Sequence, residues 1–509
     1  MAGGKSQTRN IQFDPERLQD AVRGCWLGKN IGGTLGAPFE GQRTLQNVSF
    51  YVQKNLNGNP EPNDDLDLQL AWLALLEYYG VYHLTHRRLG EYWISAVIGP
   101  WNEYAVCRWN CQNGFYPPLS GSVDNDVWKW SNGAWIRSEI WACLFPGDPD
   151  TAIEFAWLDA SCDHVGEGVY AEMFTAALES AAFVEKDIPT LIEIALAKIP
   201  ADSRVARSVR LVCDCFTRGI GWKEAREGIV KDSADLGWFQ APGNVAFTVL
   251  GLLYGGGDFG KSICLAVNCG DDTDCTAATA GSVLGILLGA KNIPQEWLTP
   301  IGDGILTKTL NRFNLPMPIP KTVSELTYRV MNLQHRLADN YPRRVSGDMK
   351  SQEIASLIWA RSPYELKFDL GFATLGVEYP EMPLIEPGKS CPVRLHVYSS
   401  INSMPLVKFR WLLPENWHSA RPEVQLAAGP FRHSCADTGV TPPESLSDAM
   451  SYLTLEVTSD DRSCPTRLTI PFRSRGAVNM PNLSEKNLDR DEVTYCHMIL
   501  DSCLMKQKS

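Results

Sequence analysis

The chain has 509 residues, of which 44% are hydrophobic and 21% are charged. This composition excludes a chain that is disordered throughout, and the length suffices for two or more domains. Asp and Glu number 59 against 47 for Lys and Arg, so the formal net charge is −12. We expect no nucleic-acid partner, because nucleic-acid binders need a cationic surface that displaces counterions.

The sequence lacks segments typical of export or membrane insertion. Residues 1–10 are polar, unlike a secretory signal, and the most apolar stretch, residues 282–290, is far shorter than the ~20 residues that span a bilayer. We expect a cytoplasmic protein without membrane association, whose 15 cysteines are reduced and often buried. The pairs Cys107/Cys111 and Cys213/Cys215 lack the spacing of a structural zinc site.

Helical periodicity extends to about residue 345. Asp14-Pro15 and Asp148-Pro149 are typical of an N-cap followed by a first-turn proline. Apolar stripes at helical spacing follow at Leu18, Val22, Cys25 and Trp26; at Ile153, Ala156, Trp157 and Ala160; and at Val205, Val209, Val212 and Phe216. Small residues in 276–290 predict close helix packing. No βαβ alternation is visible, so we predict a large all-α domain.

From about Tyr364 the hydrophobic pattern has period two, which is typical of strands. The alternating apolar positions include Val393, Leu395 and Val397, and then Leu453, Leu455 and Val457. They predict a small antiparallel β-sandwich. The predicted division is a tail over 1–15, an all-α domain over 16–345, a linker or helix over 346–363 and the β-sandwich over 364–505.

Two acidic clusters precede two apolar helices. The first is Asn63-Asp64-Asp65-Leu66-Asp67 and the second is Asp271-Asp272-Thr273-Asp274. Helix capping explains one carboxylate at each start, since a side-chain oxygen accepts from orphan N–H groups. The remaining carboxylates repel one another, which favours a bound cation, and their oxygens suit Mg²⁺ or Mn²⁺. Spacing alone leaves capping and metal binding both open.

A phosphate-loop spacing occurs at residues 255–262, GGGDFGKS. A functional phosphate loop connects a strand to a helix within a parallel sheet. Residues 244–254 could form the strand, but no surrounding α/β pattern supports it. We therefore do not expect an ATPase.

Six motifs in chain order resemble those of the ADP-ribosylglycohydrolase family, which includes the dinitrogenase reductase-activating glycohydrolases. The matching segments are GCWLG at 24–28, GGTLGAPFE at 32–40, NDD at 63–65, SNGAWIR at 131–137, DASCDH at 159–164 and NCGDDTD at 268–274. The resemblance implies an all-α fold that binds two Mg²⁺ or Mn²⁺ ions. It covers residues 20 to 310 and leaves the β region unexplained.

The chain departs from the family pattern at positions near the implied metals. Asn63 replaces Thr or Ser, Leu66 replaces a Thr, and Gly33 stands where many members have Asp. In the later motifs Asp271 replaces a Gly, Cys275 replaces a Thr and Asp163 replaces the Thr before the histidine. A thiol is a poor Mg²⁺ ligand, so the second metal position is the more altered one.

The resemblance also implies roles for individual residues. The implied metal ligands are Asn63, Asp64, Asp65, Asp272 and Asp274, with Asp272 shared between the two ions. Asp65 and Asp272 are thereby part of the implied catalytic group, which Glu40 completes as a base or by holding a metal-bound water. Asp271 is implied as an outer or substituted ligand near the substrate.

Substrate contacts are implied for the turn at 131–133 and for one histidine. Ser131, Asn132 and Gly133 could offer N–H groups to phosphate or sugar oxygens, although a plain turn before a helix explains them equally well. His164 could bind ligand or serve as a structural histidine. Trp128, Trp130 and Trp135 lie nearby in sequence, either to stack on a ring or to pack in the core.

Three functions fit these patterns. The first is Mg²⁺-dependent cleavage of an N- or O-glycosidic ADP-ribosyl bond, on a protein or a small molecule. The second is hydrolysis of another glycoside or nucleoside with the same metals. The third is a non-catalytic structural relative, which the retained aspartates argue against. The oligomeric state is left open.

Overall fold

A computed structural model describes residues 13–340, 348–399, 405–429 and 433–477. These residues form two compact units. The first extends to Ile98 and includes Ser120–Ser122 and Asp126–Pro363; the second includes Gly99–Leu119, Val123–Asn125 and the described residues from Tyr364 onward. The sequence analysis assigned residues 99–119 to the helical domain. Most of the predicted tail over 1–15 and the end of the predicted β-sandwich lie outside the described residues.

The N-terminal part of the chain is helical, as predicted. The α-helices of the described residues are α1 (Pro15–Gly36), α2 (Asp64–Tyr79), α3 (His86–Ala96), α4 (Asn102–Gln112), α5 (Glu139–Leu144), α6 (Pro149–Ala160), α7 (Glu167–Ala182), α8 (Ile188–Leu196), α9 (Arg204–Thr217), α10 (Trp222–Asp232), α11 (Ala241–Gly255), α12 (Phe259–Asn268), α13 (Thr273–Leu288), α14 (Gln295–Leu298), α15 (Val323–Asn340) and α16 (Glu353–Trp359). Only α4 among them belongs to the second unit. No helix in the described ranges is long and apolar enough to cross a lipid bilayer.

The proline-led helix starts have the expected caps. Asp14 Oδ1 accepts from the Arg17 N–H at 2.9 Å, and Asp148 Oδ1 accepts from the Thr151 N–H at 3.2 Å. Each cap satisfies an otherwise unpaired donor at the start of its helix, α1 or α6. The apolar stripe of α9 is buried except for its last member, Phe216, which is 41% exposed.

Helices α1 and α13 pack backbone against backbone along glycines spaced four residues apart. A Cβ added at Gly28 would lie 2.0 Å from the Gly281 carbonyl oxygen, which no real contact allows. The facing pairs, Gly24 with Gly285, Gly28 with Gly281, Gly32 with Ala277 and Gly36 with Thr273, all show such separations of 2.0–2.2 Å. The predicted close packing of the small-residue helix is therefore confirmed, and it sets the start of α13 beside the end of α1.

The phosphate-loop spacing lies between two helices. The preceding residues belong to α11, and its C-cap, Gly256, lies in the left-handed region at φ +68°. Helix α12 then starts with its own cap, in which Asp258 accepts from the Lys261 N–H at 2.7 Å. Because no strand precedes the loop, these residues form an ordinary helix–helix connection.

The second unit contains two β-sheets. Its strands are β1 (Glu365–Asp369), β2 (Thr374–Glu378), β3 (Leu384–Ile385), β4 (Cys391–Tyr398), β5 (Leu406–Leu412), β6 (Glu423–Ala427), β7 (His433–Val440), β8 (Met450–Ser459) and β9 (Thr466–Ser474). One sheet has the order β1-β2-β4-β7 and the other β3-β9-β8-β5-β6. All pairings are antiparallel except the two-residue pairing of β3 with β9.

One hydrophobic core includes side chains from both sheets. Leu395 of β4 and Leu455 of β8, both from the predicted alternations, are fully buried in it. Phe115 and Val123 belong to the same core, and Arg473 of β9 pairs with Asp124 at 3.0 Å. These contacts explain why residues outside the predicted β region belong to the second unit.

Candidate active site

Carboxylates from the starts of α2 and α13 lie together in the first unit. Possible ligand atoms of Asp65, Asp274 and Cys275 lie within 4.8 Å of one another, and the same is true of Glu40, Asp272 and Asp274. Asp274 belongs to both groups. We refer to these five residues as the acidic cluster. The structure thus brings together groups that are more than 200 residues apart in sequence.

Several oxygens of this cluster accept no hydrogen bond from the described residues. Asp65 Oδ2, Asp272 Oδ1 and Asp274 Oδ1 are buried and make no hydrogen bond within the described part of the chain. Unpaired buried carboxylate oxygens are costly, because burial removes the water that would solvate them. Oxygens of this kind are the ligands that Mg²⁺ and Mn²⁺ prefer, so the donor set fits a divalent ion.

Burial and mutual repulsion both raise the pKa values of the carboxylates in the cluster. Asp274, followed by burial, raises the pKa of Glu40 to about 9. Burial and then Asp274 raise the pKa of Asp272 well above its ordinary value. The uncompensated negative charge therefore favours either protonation or a bound cation.

Asn63 and Gly33 depart from the family pattern together. The Asn63 side chain caps α2 by accepting from the Asp65 N–H at 2.8 Å. A Cβ at residue 33 would lie 2.5 Å from Asn63 Nδ2, so the absence of a side chain at Gly33 leaves space for the amide. The cap occupies the Asn63 oxygen that the resemblance assigns to a metal.

Cys275 is a partner of Asp65. Its Sγ lies 3.4 Å from Asp65 Oδ1, in the geometry of a thiol donor. Burial, with Asp272 and Asp65 as further causes, raises the pKa of the Cys275 thiol well above its ordinary value. A protonated thiol orients a carboxylate and does not ligate a hard cation.

Asp271 lies outside both groups of the cluster. Its backbone has φ +68°, and its N–H donates to the Gln42 carbonyl at 2.8 Å. Its carboxylate accepts from the Phe239 N–H at 3.2 Å and lies 3.5 Å from Arg43 Nη2. Asp271 thus connects the segment after Glu40 to the start of α11.

The turn at 131–133 contacts the cluster through one side chain. Asn132 Nδ2 donates to Asp272 Oδ2 at 2.6 Å, and Asn132 Oδ1 accepts from Trp135 Nε1 at 2.9 Å. Ser131 Oγ instead donates to the Trp128 carbonyl at 2.6 Å. Trp135 is fully buried, whereas Trp128 and its neighbour Trp130 are half-buried.

Arg137 connects the turn to the segment that contains His164. It lies 2.9 Å from Asp159 Oδ1 and 2.7 Å from Asp163 Oδ1, and it also donates to the Gly133 carbonyl. Burial alone would raise the pKa of Asp163, but Arg137 and His164 outweigh it and lower the pKa. The aspartate that replaces the family's Thr thereby belongs to a buried ion-pair network.

His164 is fully buried, with a protein group beside each ring nitrogen. Nδ1 lies 2.8 Å from Asp163 Oδ1 and Nε2 lies 3.1 Å from Ser131 Oγ. This geometry supports the structural interpretation, in which His164 positions the Ser131 turn.

Two lysines that the sequence analysis did not single out contact the acidic residues. Lys29 Nζ lies 3.8 Å from Asp65 Oδ2 and 2.7 Å from Glu139 Oε1. Lys308 Nζ lies 2.8 Å from Asp64 Oδ1. The sequence could have indicated Lys29, because it is a charged residue within the glycine-rich stretch of α1. Lys308 follows no motif, so no sequence signal identified it.

The sequence was compared with known proteins. The ADP-ribosylglycohydrolase family matches residues 14–326. An uncharacterized protein of Archaeoglobus fulgidus is 25% identical over 303 residues, which cover 56% of this chain and 93% of that protein. The ADP-ribosylarginine hydrolase Tri1 of Pseudomonas putida is 23% identical over 322 residues, or 58% of this chain and 78% of that protein. The Tri1 protein of Serratia proteamaculans is 51% identical over a short stretch of 41 residues, or 8% of this chain and 11% of that protein.

The chain belongs to the ADP-ribosylglycohydrolase family, since the match covers more than half of its length. It is an enzyme of the class that hydrolyses glycosyl bonds. The resemblance seen in six short motifs is therefore confirmed, as is the helical fold that it implied.

Proposed function

We propose that this protein is a Mg²⁺-dependent glycohydrolase that cleaves an N- or O-glycosidic ADP-ribosyl bond at a dinuclear site. The convergence of Glu40, Asp65, Asp272 and Asp274 is the observation that carries the proposal. A non-catalytic scaffold gains nothing from concentrated buried charge. Membership of the ADP-ribosylglycohydrolase family indicates that the bond cleaved is a glycosidic one.

Two ions would be held by the residues that the motifs indicate. Asn63, Asp64 and Asp65 would hold one ion together with Asp272, and Asp272 would be shared with the second ion, which Asp274 would complete. When bound, the ions supply Lewis acidity and hold the vicinal hydroxyls of the ribose. Mn²⁺ satisfies the same oxygen donors.

The side chains then have distinct tasks in the hydrolysis. Bound cations would offset the repulsion from Asp274 that raises the pKa of Glu40. Glu40, on the exposed rim of the cluster, is then ionised and accepts a proton from the water that attacks the anomeric carbon. The bond from that carbon to the leaving group breaks through an oxocarbenium-like state, and the leaving group departs with the proton that Glu40 took from the water.

Asn132 holds the Asp272 carboxylate in place through its 2.6 Å hydrogen bond. The Ser131 N–H donates to the Trp128 carbonyl at 3.0 Å, so within this turn the N–H groups of Asn132 and Gly133 are the ones assigned to the phosphate or sugar oxygens.

Arginine-linked ADP-ribose is the first substrate to test, because two relatives bear the name ADP-ribosylarginine hydrolase. The proposed location is the cytoplasm. Buried thiols such as Cys25, Cys143 and Cys269 suit its reducing conditions.

Calorimetric titration with ADP-ribose, with and without Mg²⁺, tests the proposal. We expect binding that requires the metal, together with release of ADP-ribose from ADP-ribosylated arginine. A simple glycoside or nucleoside serves as the control ligand. Metal-dependent turnover of that control without any ADP-ribose binding would replace this proposal with a hydrolase of another glycoside.

A further inference from the structure

A second group of possible metal ligands lies in the second unit. His396 Nδ1 and His433 Nε2 are 2.7 Å apart. Together with Cys435 Sγ they form a set whose ligand atoms all lie within 4.8 Å of one another. We call these three residues the His–Cys cluster. Its members come from strands whose histidines are 37 residues apart in sequence, which is why spacing analysis of cysteine pairs did not detect it.

Strand register creates the cluster. In the pairing of β4 with β7, His396 lies opposite Cys435, and Tyr398 lies opposite His433. Side chains two residues apart share one face of a strand. Leu395 and Val397 point into the buried core, so the cluster occupies the other face of the sheet, where His433 and Cys435 are exposed.

A carboxylate orients the first histidine. Glu378 of β2 has Oε2 at 2.8 Å from His396 Nε2, which leaves Nδ1 as the nitrogen directed at the cluster. A carboxylate on the second nitrogen is the usual support of a metal-bound histidine, because it fixes the tautomer and raises ligand basicity.

The surrounding residues hold the rings in place. The rings of His396, Tyr398 and His433 are parallel within 14°, with Tyr398 and His433 centroids 4.7 Å apart. A Cβ at Gly376 would lie 1.9 Å from Glu365 Oε1, so this glycine leaves room for the Glu365 carboxylate, which accepts from the Tyr398 hydroxyl at 2.9 Å.

We propose that His396 Nδ1, His433 Nε2 and Cys435 Sγ bind a Zn²⁺ ion, with Glu378 as the positioning residue. Two imidazoles and a thiolate are the donors that zinc prefers, unlike the oxygens of the acidic cluster. Two nitrogens on one tetrahedral zinc are separated by roughly 3.3 Å. The rings therefore separate slightly as the ion replaces their direct hydrogen bond, and water fills the fourth position.

Cobalt substitution of the full-length protein tests this site. Co²⁺ bound to a thiolate absorbs through charge transfer, and we expect this absorption in the unmodified protein. It should disappear in Cys435→Ser and fall strongly in His433→Ala. Cys464→Ser removes another exposed thiol, His418→Ala removes an exposed histidine and Cys275→Ser removes the thiol of the acidic cluster; all three should retain it.

Zinc content and affinity provide a second readout. After dialysis against zinc, Cys435→Ser should hold one ion fewer per chain than the unmodified protein. Glu378→Gln should weaken zinc affinity about 10- to 100-fold in competition with a chelating dye. Absence of the cobalt band from the unmodified protein, or its persistence in Cys435→Ser, would show that the histidines merely share a hydrogen bond.

Discussion

Lys308 Nζ lies 2.8 Å from Asp64 Oδ1, beside the acidic cluster. The contact depends on Asp67, whose Oδ2 accepts from the N–H groups of Lys308 and Thr309 at 2.8 and 2.6 Å. Asp67 therefore holds the backbone at Lys308 and Thr309 in place. This role explains why the motif contains an aspartate that is not among the proposed metal ligands. In the proposed metal site, Lys308 would compete with the ion for Asp64.

Removing this competitor should strengthen metal binding. We predict that Lys308→Met raises Mg²⁺ affinity roughly fivefold, which corresponds to an ion pair worth ~1 kcal/mol. Calorimetric titration with Mg²⁺ measures the change. Lys261→Ala, in the helix–helix connection, is the matched control and should alter neither affinity nor activity. Weaker Mg²⁺ binding in Lys308→Met would instead mean that the lysine supports the site.

The two neighbouring aspartates at 271 and 272 should respond differently to loss of charge. Asp272→Asn should abolish Mg²⁺ binding and turnover, because it removes an anionic oxygen shared by the proposed ions. Asp271→Asn should retain measurable Mg²⁺ binding, since its carboxylate contacts Arg43 and the Phe239 N–H. Full turnover by Asp272→Asn would contradict the proposed mechanism.

The glycine contacts between α1 and α13 should be intolerant of a methyl group. Gly28→Ala places a Cβ 2.0 Å from a backbone carbonyl, and we expect unfolding free energy to fall by about 3 kcal/mol in urea titrations. In Gly228→Ala, within α10, the nearest atom is a flexible Leu211 methyl at 3.2 Å. That control should be neutral or up to ~1 kcal/mol more stable. Equal stability of the two variants would contradict the close packing.

Glu172 should make the stability of the first unit depend on pH. It is fully buried beside Trp141 Nε1, which donates to its Oε1 at 3.0 Å. Burial first, then Asp159 and Asp163 against the opposing Arg137, raise its pKa well above the ordinary value. The folded protein therefore retains a proton that the unfolded chain releases above about pH 4.3, and wild-type stability falls as pH rises toward the folded-state pKa.

Glu172→Gln stays neutral and should avoid this decline. Relative to wild type, its unfolding free energy should increase between pH 5 and pH 8, by at most about 1.4 kcal/mol per pH unit. Urea titrations at both values measure the difference, with the exposed Glu224→Gln as the control for losing one negative charge. If the difference in unfolding free energy between Glu172→Gln and wild type is the same at pH 5 and pH 8, the proton retained in the folded protein is not on Glu172.

Local patterns predicted the elements of this fold well, because caps and periodicity depend on neighbouring residues. The Asp14 and Asp148 caps and the alternation around Leu395 are examples. The sequence did not indicate that residues 99–119 belong to the second unit, because the burial of Phe115 depends on a core built from strands much later in the chain.

Prediction of the site was more uneven. The acidic motifs identified residues that the fold brings together, because each motif starts a helix and the helices converge. The positions of Asp271 and His164 depend on contacts with Phe239 and Ser131, and those distant contacts leave no local pattern. The roles of Asp271 and His164 therefore stay proposals, for which the structure supplies the contacts.

The close packing of α1 against α13 limits how the amino-acid sequence of the enzyme can change. The last facing pair is Gly36 with Thr273. Glu40 lies four residues after Gly36, and Asp274 directly follows Thr273. The distance between Glu40 and Asp274 is therefore set by main-chain atoms. A distance defined in this way does not adjust through rotamer changes, and a one-residue deletion anywhere between Gly24 and Gly36 would rotate every later position of α1. Diversification for new substrates is thereby confined to the loops that surround the acidic cluster.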